Sequence, residues 1–244
     1  MPKLFETFQM STSSFSNIIS SIRPDMLIYD VFQPWAAKIA SSLGIPAVHF
    51  ATSGAAPYSF YLHYVISANS AFPYEAMYLR DHERKALEAM VPSDRRDKQK
   101  DQDSGFDHFN LSCDIVLMRT CRTIEGKYID HLSFLCKRIL VPVGPLVTHA
   151  TVKKESMQRS WNALNARLVV EAGVGIEVER DENGGFGGTD VADAINKIVV
   201  EETGEVMRLK ASELSEKMKN EEEDAVNDTA DKLRRLCMEH KLQK

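Results

Sequence analysis

The sequence predicts an α/β protein whose first 147 residues build a parallel sheet and whose remainder, 148–244, is mostly helical. Three observations carry that expectation. Short apolar runs of strand length recur at 26–30 (MLIYD), 47–50 (AVHF) and 113–118 (CDIVLM), the pattern of strands buried on both faces. Apolar residues at helical spacing fill the stretches between them. After RILVPVGPLV at 138–147 the texture turns polar and irregular, then charged and helical.

The first unit is the clearest. Pro24 precedes the MLIYD strand, and Pro34 suits a first helical position. Trp35, Ala36, Ile39, Ala40 and Leu43 share a helix face, Gly44 fits the C-cap, and Pro46 forbids continuation before AVHF. Strand, helix and strand make a βαβ unit with parallel strands. Tyr58 to Ser67 predicts an aromatic-rich helix, and 92–110 a charged loop. Ile124, Tyr128, Leu132 and Leu135 mark another helix, and RILVPVGPLV a strand running into a Pro/Gly connector that serves as a domain boundary. Beyond it, a helix from Leu164 should end at Gly173, and GIEV at 175–178 suggests a short strand. Thr189 or Asp190 could cap a helix carrying Val191, Ala194, Ile195, Ile198 and Val199. From Glu205 the composition is helical, in two segments divided near Glu221–Asp224.

Composition excludes several classes. With 43% hydrophobic and 27% charged residues, the chain has an ordinary globular balance. A net charge of -5 speaks against nucleic acid, because phosphate binding needs a concentrated basic face. The basic cluster at 95–100 is interrupted by Asp97 and suits a solvated loop. No apolar run approaches the roughly 20 residues that span a bilayer. The N-terminal segment lacks a signal-peptide core. Cys113, Cys121, Cys136 and Cys237 show no metal-ligand spacing, which predicts reduced cysteines and a cytoplasmic protein without metal.

In open parallel sheets, sites form beyond the carboxyl ends of the strands. Asp30 ends the first strand; Thr52 and Ser53 follow the second. A carboxylate at Asp30 could orient a histidine or act as a base, or it could simply cap the next helix; both readings stand. Thr52 to Ala56 could offer hydroxyls and amides to an anion, or form a plain N-cap. The glycines at 184–188 lack the Lys-Ser/Thr of a P-loop and suit a surface turn. His49 and His63 fall inside a strand and a helix, as packed histidines do. Tyr58, Phe60, Tyr61 and Tyr64 could line an apolar pocket or pack a core.

PDMLIYDVFQPWAAKIASSLGIPAVHFATSGAA at 24–56 resembles the plant UDP-sugar-dependent glycosyltransferases, in particular the branch that adds a sugar to an existing terpenoid or flavonoid glycoside. The segments 113–132 and 138–147 continue the resemblance, and LNARLVVEAGVGIEVERDENGGF at 164–186 is similar to the part that follows the family's sugar-nucleotide box. The resemblance implies a GT-B fold, two facing Rossmann-like domains holding acceptor and UDP-sugar. By it, 1–147 would be a partial acceptor domain and 148–244 the remnant of the donor domain. It implies that a histidine deprotonates the acceptor hydroxyl, that an aspartate partners that histidine, and that UDP leaves the anomeric carbon with inversion and without metal. UDP-sugar would be a co-substrate, with no cofactor. Asp30 matches the aspartate, Thr52 a donor-contacting position, and Phe32 and Tyr61 acceptor-lining positions.

The departures bear on activity. No histidine precedes His49, so the base histidine expected near the start is absent. The donor box, with its stacking tryptophan, His-Cys-Gly-Trp-Asn run, ribose glutamate and Asp-Gln pair, is missing between the connector and Leu164. Trp161-Asn162 is either a substituted Asp-Gln pair or a segment abutting Leu164 across a large deletion. The expectation is an impaired or inactive family member. The alternative is a binding module for a small hydrophobic glycoside or a protein, prone to self-association through uncovered apolar surface.

Overall fold

The computed structural model describes residues 7–8, 10–67, 70–90, 107–144, 159–178, 180–181 and 185–242. They form four short parallel strands and a set of helices. The first part runs α1 (Thr12–Ile22), β1 (Leu27–Tyr29), α2 (Pro34–Ser42), β2 (Ala47–Ala51), α3 (Ala55–Ile66) and α4 (Asp81–Met90). Next come α5 (Asp107–Asn110), β3 (Ile115–Met118), α6 (Arg122–Cys136) and β4 (Ile139–Pro142). The last part holds α7 (Arg159–Glu171), α8 (Gly188–Val199) and α9 (Glu202–Leu242). The part of the loop predicted for 92–106, the connector from Pro145, the polar stretch 148–158 and Gly184 lie outside the described residues.

The chain divides into two compact units. The first comprises Met1–Ala55, Gln102–Leu146 and Glu221–Lys244; the second comprises Ala56–Asp101 and Val147–Asn220.

In the first unit the strands pair in chain order, β1-β2-β3-β4, all parallel. Tyr29 pairs with His49, His49 with Val116, and Val116 with Leu140. Successive strand residues point to opposite faces. On one face Tyr29 and Ala47 join Ile19, Ala37, Ala40 and Ile45 from the flanking helices and loop. On the other, Val48, Ile115, Leu117, Val141 and Val143 pack with Leu233 and Leu236 of α9. Both faces are covered, which is why these strands lack polar alternation.

The α2–β2 turn closes as the sequence predicts. Gly44 adopts φ +65°, its N–H donates to Ser41 O, and the Ile45 N–H donates to Ala40 O. This is a Schellman end, whose left-handed residue favours glycine.

The second unit is helical. Arg167 on α7 is buried and pairs at 2.8 Å with Glu83, also buried, on α4. Its guanidinium lies 3.9 Å from the Tyr78 ring centroid and donates to the Tyr78 carbonyl. Glu177 accepts from Tyr78 Oη and pairs with Arg80 at 3.3 Å.

Several sequence expectations change. Residues 175–178 form no strand: Glu177 is drawn into this ionic cluster, and a lone strand has no ladder to join. The α8 helix begins at Gly188 with Gly187 at its N-cap, without a side-chain cap from Thr189 or Asp190. Residues 107–110 are a helical turn. The N-terminal segment holds α1. The two helices expected after Glu205 are one, unbroken through Glu221–Asp224, where glutamate favours the helix and Glu221 finds partners on α6.

Candidate functional site

The carboxyl edge of the sheet gathers Asp30 after β1, the loop Thr52–Gly54 after β2, and Thr120 and Cys121 after β3. Asp30 is half-buried. Its Oδ1 accepts the Phe32 N–H at 2.8 Å, an Asx turn that redirects the chain out of β1. The N-cap of α2 is Gln33, so Asp30 shapes the turn and does not cap that helix. Asp30 Oδ2 makes no hydrogen bond among the described residues. Phe32 lies beside Asp30 in sequence and meets the Phe8 ring at 6.4 Å.

Thr52 is exposed and Ser53 half-buried on the neighbouring strand's exit. Beneath that loop stands Glu125, buried in the first turns of α6. Its Oε2 accepts from the Thr120 hydroxyl, and its carboxylate abuts Gly54. The sequence pattern of α6 marks its apolar face and carries no signal for Glu125. Thr120 and Glu125 stand five residues apart, which is not the capping-box spacing that would have flagged them.

At the start of α6, Glu221 of α9 accepts from the Arg122 N–H, from the Thr123 N–H at 2.8 Å and from the Thr123 hydroxyl at 2.5 Å. An internal carboxylate therefore satisfies first-turn amides that have no intrahelical partner. In the sequence Glu221 stands out only as part of an acidic run expected to divide two helices.

Tyr61 lies buried on α3 in the second unit, edge-on to Phe60 at 6.0 Å. The described structure thus brings Asp30, Phe32 and Thr52 to one sheet edge, and Tyr61 belongs to the other unit.

His49 is fully buried in β2, its ring 4.6 Å from His108 and 5.2 Å from Phe109. Burial and the neighbouring His108 push its pKa down to about 3; burial alone pushes His108 to about 4. Both rings are neutral near pH 7. Tyr29 caps this cluster, donating its hydroxyl to the His108 carbonyl at 2.5 Å, and burial raises its pKa well above the ordinary phenol value. His49 is core material and sits on a strand, not at its exit.

At the opposite, amino edge lies a cavity of about 150 Å³ lined by Arg23, Asp25, Cys237, His240 and Lys241. The ends of α1, α2 and α9 meet there, and basic groups at helix C-termini are accounted for by the exposed carbonyls. Among the described residues no His/Cys/Asp/Glu group could hold a metal. No helix among them is long and apolar enough to cross a membrane.

No family model matches the chain. UDP-glucosyltransferase 29 from Panax ginseng is 28% identical over 359 residues, covering 99% of this chain and 80% of the relative. That span exceeds the 244 residues available here, so the relative carries segments with no counterpart in this chain. Mogroside IIIx synthase from Siraitia grosvenorii is 38% identical over 60% of this chain, which spans only 31% of that enzyme. A flavanone 7-O-glucoside 2''-O-beta-L-rhamnosyltransferase from Citrus maxima is 31% identical over 71% of this chain and 39% of its own length. Among solved structures, apo UGT2 of Phytolacca americana superposes with a TM-score of 0.69, at 13% identity, over 95% of this chain and 82% of that one. That likeness gives the fold, a GT-B architecture. The relatives are plant UDP-glycosyltransferases, and the chain is similar to them over nearly its whole length, with an α/β sheet of the GT-B kind and fewer residues than the whole enzymes.

Proposed function

We propose that this chain derives from an enzyme that transfers a hexose, glucose above all, from a UDP-sugar to a hydroxyl of a small plant metabolite or its glycoside, and that the chain itself transfers sugar poorly or not at all. The relatives named for glycosides, the flavanone glucoside enzyme among them, support the acceptor class. Residues 1–147 would descend from the acceptor side and 148–244 from the donor side. Asp30 is the partner of a base histidine, Thr52 a donor contact, and Phe32 and Tyr61 acceptor-lining residues. The protein would act in the cytoplasm, where its four free cysteines stay reduced.

The observation that carries the inactive reading lies inside the chain: between the connector at 138–147 and Leu164 there is no donor box, and with it goes the positioning of the sugar nucleotide. His49 is a buried, neutral core residue and supplies no base. Purified protein incubated with UDP-glucose and a terpenoid or flavonoid glucoside should give no glucosylated product by mass spectrometry. Product above the no-enzyme control would overturn the proposal.

A second reading is a non-catalytic binding module. Val191, Ile195 and Val199 of α8, with Val200 and with Val206 and Leu209 of α9, are exposed apolar side chains. Such a group favours self-association. A sharp monomer on size exclusion across a concentration series would count against it.

A further inference from the structure

The cavity of about 150 Å³ at the amino edge of the sheet unit is lined by Cys237 of α9. Its wall also carries Arg23 at the end of α1, Asp25 before β1, and His240 and Lys241. All of these residues belong to one compact unit. Cys237, His240 and Lys241 are three and four positions apart, so they share one face of the helix. The exposed carbonyls of the helix ends account for cations in this place, but not for a thiol among them.

Two of the basic groups have partners. His240 Nε2 lies 2.7 Å from the Gly44 carbonyl, and Lys241 Nζ pairs with Asp25 at 2.9 Å. Arg23 is held through its backbone, at φ +47°, with its N–H donating to Ile19 O. Its side chain is exposed and makes no hydrogen bond or ion pair among the described residues. The Cys237 thiol is free and half-buried. Among the described residues the cavity wall thus sets an uncommitted cation beside an uncommitted thiol. The sulfur lies near enough to Lys241 to add to the rise in that ammonium's pKa, which the hydrogen bond and charge of Asp25 chiefly produce.

The other three cysteines are placed differently. Cys121 and Cys136 are buried, and Cys113 is half-buried under the sheet's cover. Burial raises all three pKa values, that of Cys121 to about 11, and so keeps them as thiols near neutral pH. The thiolate is the nucleophilic form, and attack on a disulfide also needs access. The cavity gives Cys237 that access.

We propose that Cys237 is a site of reversible S-thiolation, and that the cavity selects a low-molecular-weight disulfide bearing carboxylates, of which glutathione disulfide is the type. The Cys237 thiol yields its proton to water. The thiolate attacks one sulfur of the incoming disulfide, whose S–S bond breaks as the new one forms. The other half leaves as a thiolate and takes up a proton. The incoming disulfide is the oxidant, and an added dithiol reverses the step. Arg23 receives a carboxylate of the half that stays bound. None of these contacts depends on the glycosyltransferase reading, and the test needs no sugar nucleotide.

Full-length protein is treated at neutral pH with glutathione disulfide and, separately, with cystamine, a cationic disulfide. Each rate is divided by that reagent's rate with mercaptoethanol, which removes their intrinsic difference. Peptide mapping by mass spectrometry should place the first adduct on Cys237, formed about tenfold or more faster than at Cys113, Cys121 or Cys136. The normalised rate should favour glutathione disulfide by about fivefold, the worth of one close opposite charge in water. That preference should shrink in about 1 M salt, where charges are screened beyond about 3 Å. Arg23→Gln should abolish the preference and leave the cystamine rate unchanged. Cys237→Ser should abolish the first adduct. A first adduct on another cysteine, equal normalised rates for the two reagents, or a preference that survives Arg23→Gln overturns the proposal.

Discussion

Gly54 and Glu125 are in contact so close that a β-carbon at position 54 would stand 2.7 Å from Glu125 Oε1 and 2.9 Å from Oε2. The buried carboxylate, held from the other side by the Thr120 hydroxyl, occupies the space that a side chain would need. Gly54→Ala should destabilise the fold by about 1–3 kcal/mol, the usual range for overpacking. Urea unfolding of the single variants and of Gly54→Ala with Glu125→Ala should be non-additive, because the second change removes the obstructing oxygens. Strict additivity would show that the two residues do not meet.

Arg167 and Glu83 form a buried ion pair in the helical unit. Removing one partner leaves a buried charge alone, so Arg167→Met should cost about 3–5 kcal/mol, and Arg167→Met with Glu83→Leu markedly less. The double variant is compared with the single ones by denaturant midpoints. A double variant as unstable as the single change would mean that the packing of Arg167 on Tyr78, not charge, dominates.

His49 and His108 set an acid limit. Their folded pKa values, about 3 and about 4, lie below the ordinary 6.5, so the unfolded chain takes up protons first as the pH falls. Their contribution is fully present above pH 6.5 and is lost progressively down toward the folded values. Each histidine adds a slope of up to about 1.4 kcal/mol per pH unit in that window. His49→Phe, which suits the surrounding Tyr29 and Phe109 rings, should flatten the fall in Tm between pH 6.5 and 4. An acid limb identical to wild type would refute the assignment.

Asp30 shapes the chain as it leaves β1. Asp30→Ala removes the acceptor for the Phe32 N–H and should cost about 0.5–1.5 kcal/mol. Faster exchange of the Phe32 amide, measured by NMR, locates the effect. Asp30→Asn, which keeps an acceptor oxygen, should retain most of the protection.

Much of the architecture was legible in the residues themselves. Strands buried on both faces need unbroken apolar runs, so MLIYD, AVHF, CDIVLM and the ILVP of 139–142 announced β1 to β4. Gly44 and Gly173 announced helix ends because left-handed residues favour glycine, and both adopt positive φ. The resemblance to plant UDP-glycosyltransferases was legible in residues 24–56 and 164–186 as a match of sequence. GIEV looked like a strand because alternation is a local signal, but pairing requires a neighbour that the chain does not provide there.

What the sequence determined, then, was which segments are strands and helices, that the sheet is parallel, and that Asp30 and Thr52 leave adjacent strands. Only the tertiary structure decided that Glu125 lies under Gly54, that Glu83 answers Arg167, and that Glu221 reaches from α9 to the start of α6. Those partners stand 71, 84 and about a hundred positions apart. Periodicity reports the face on which a residue lies within its own element, whereas a buried carboxylate is stabilised by whichever donor folding brings beside it.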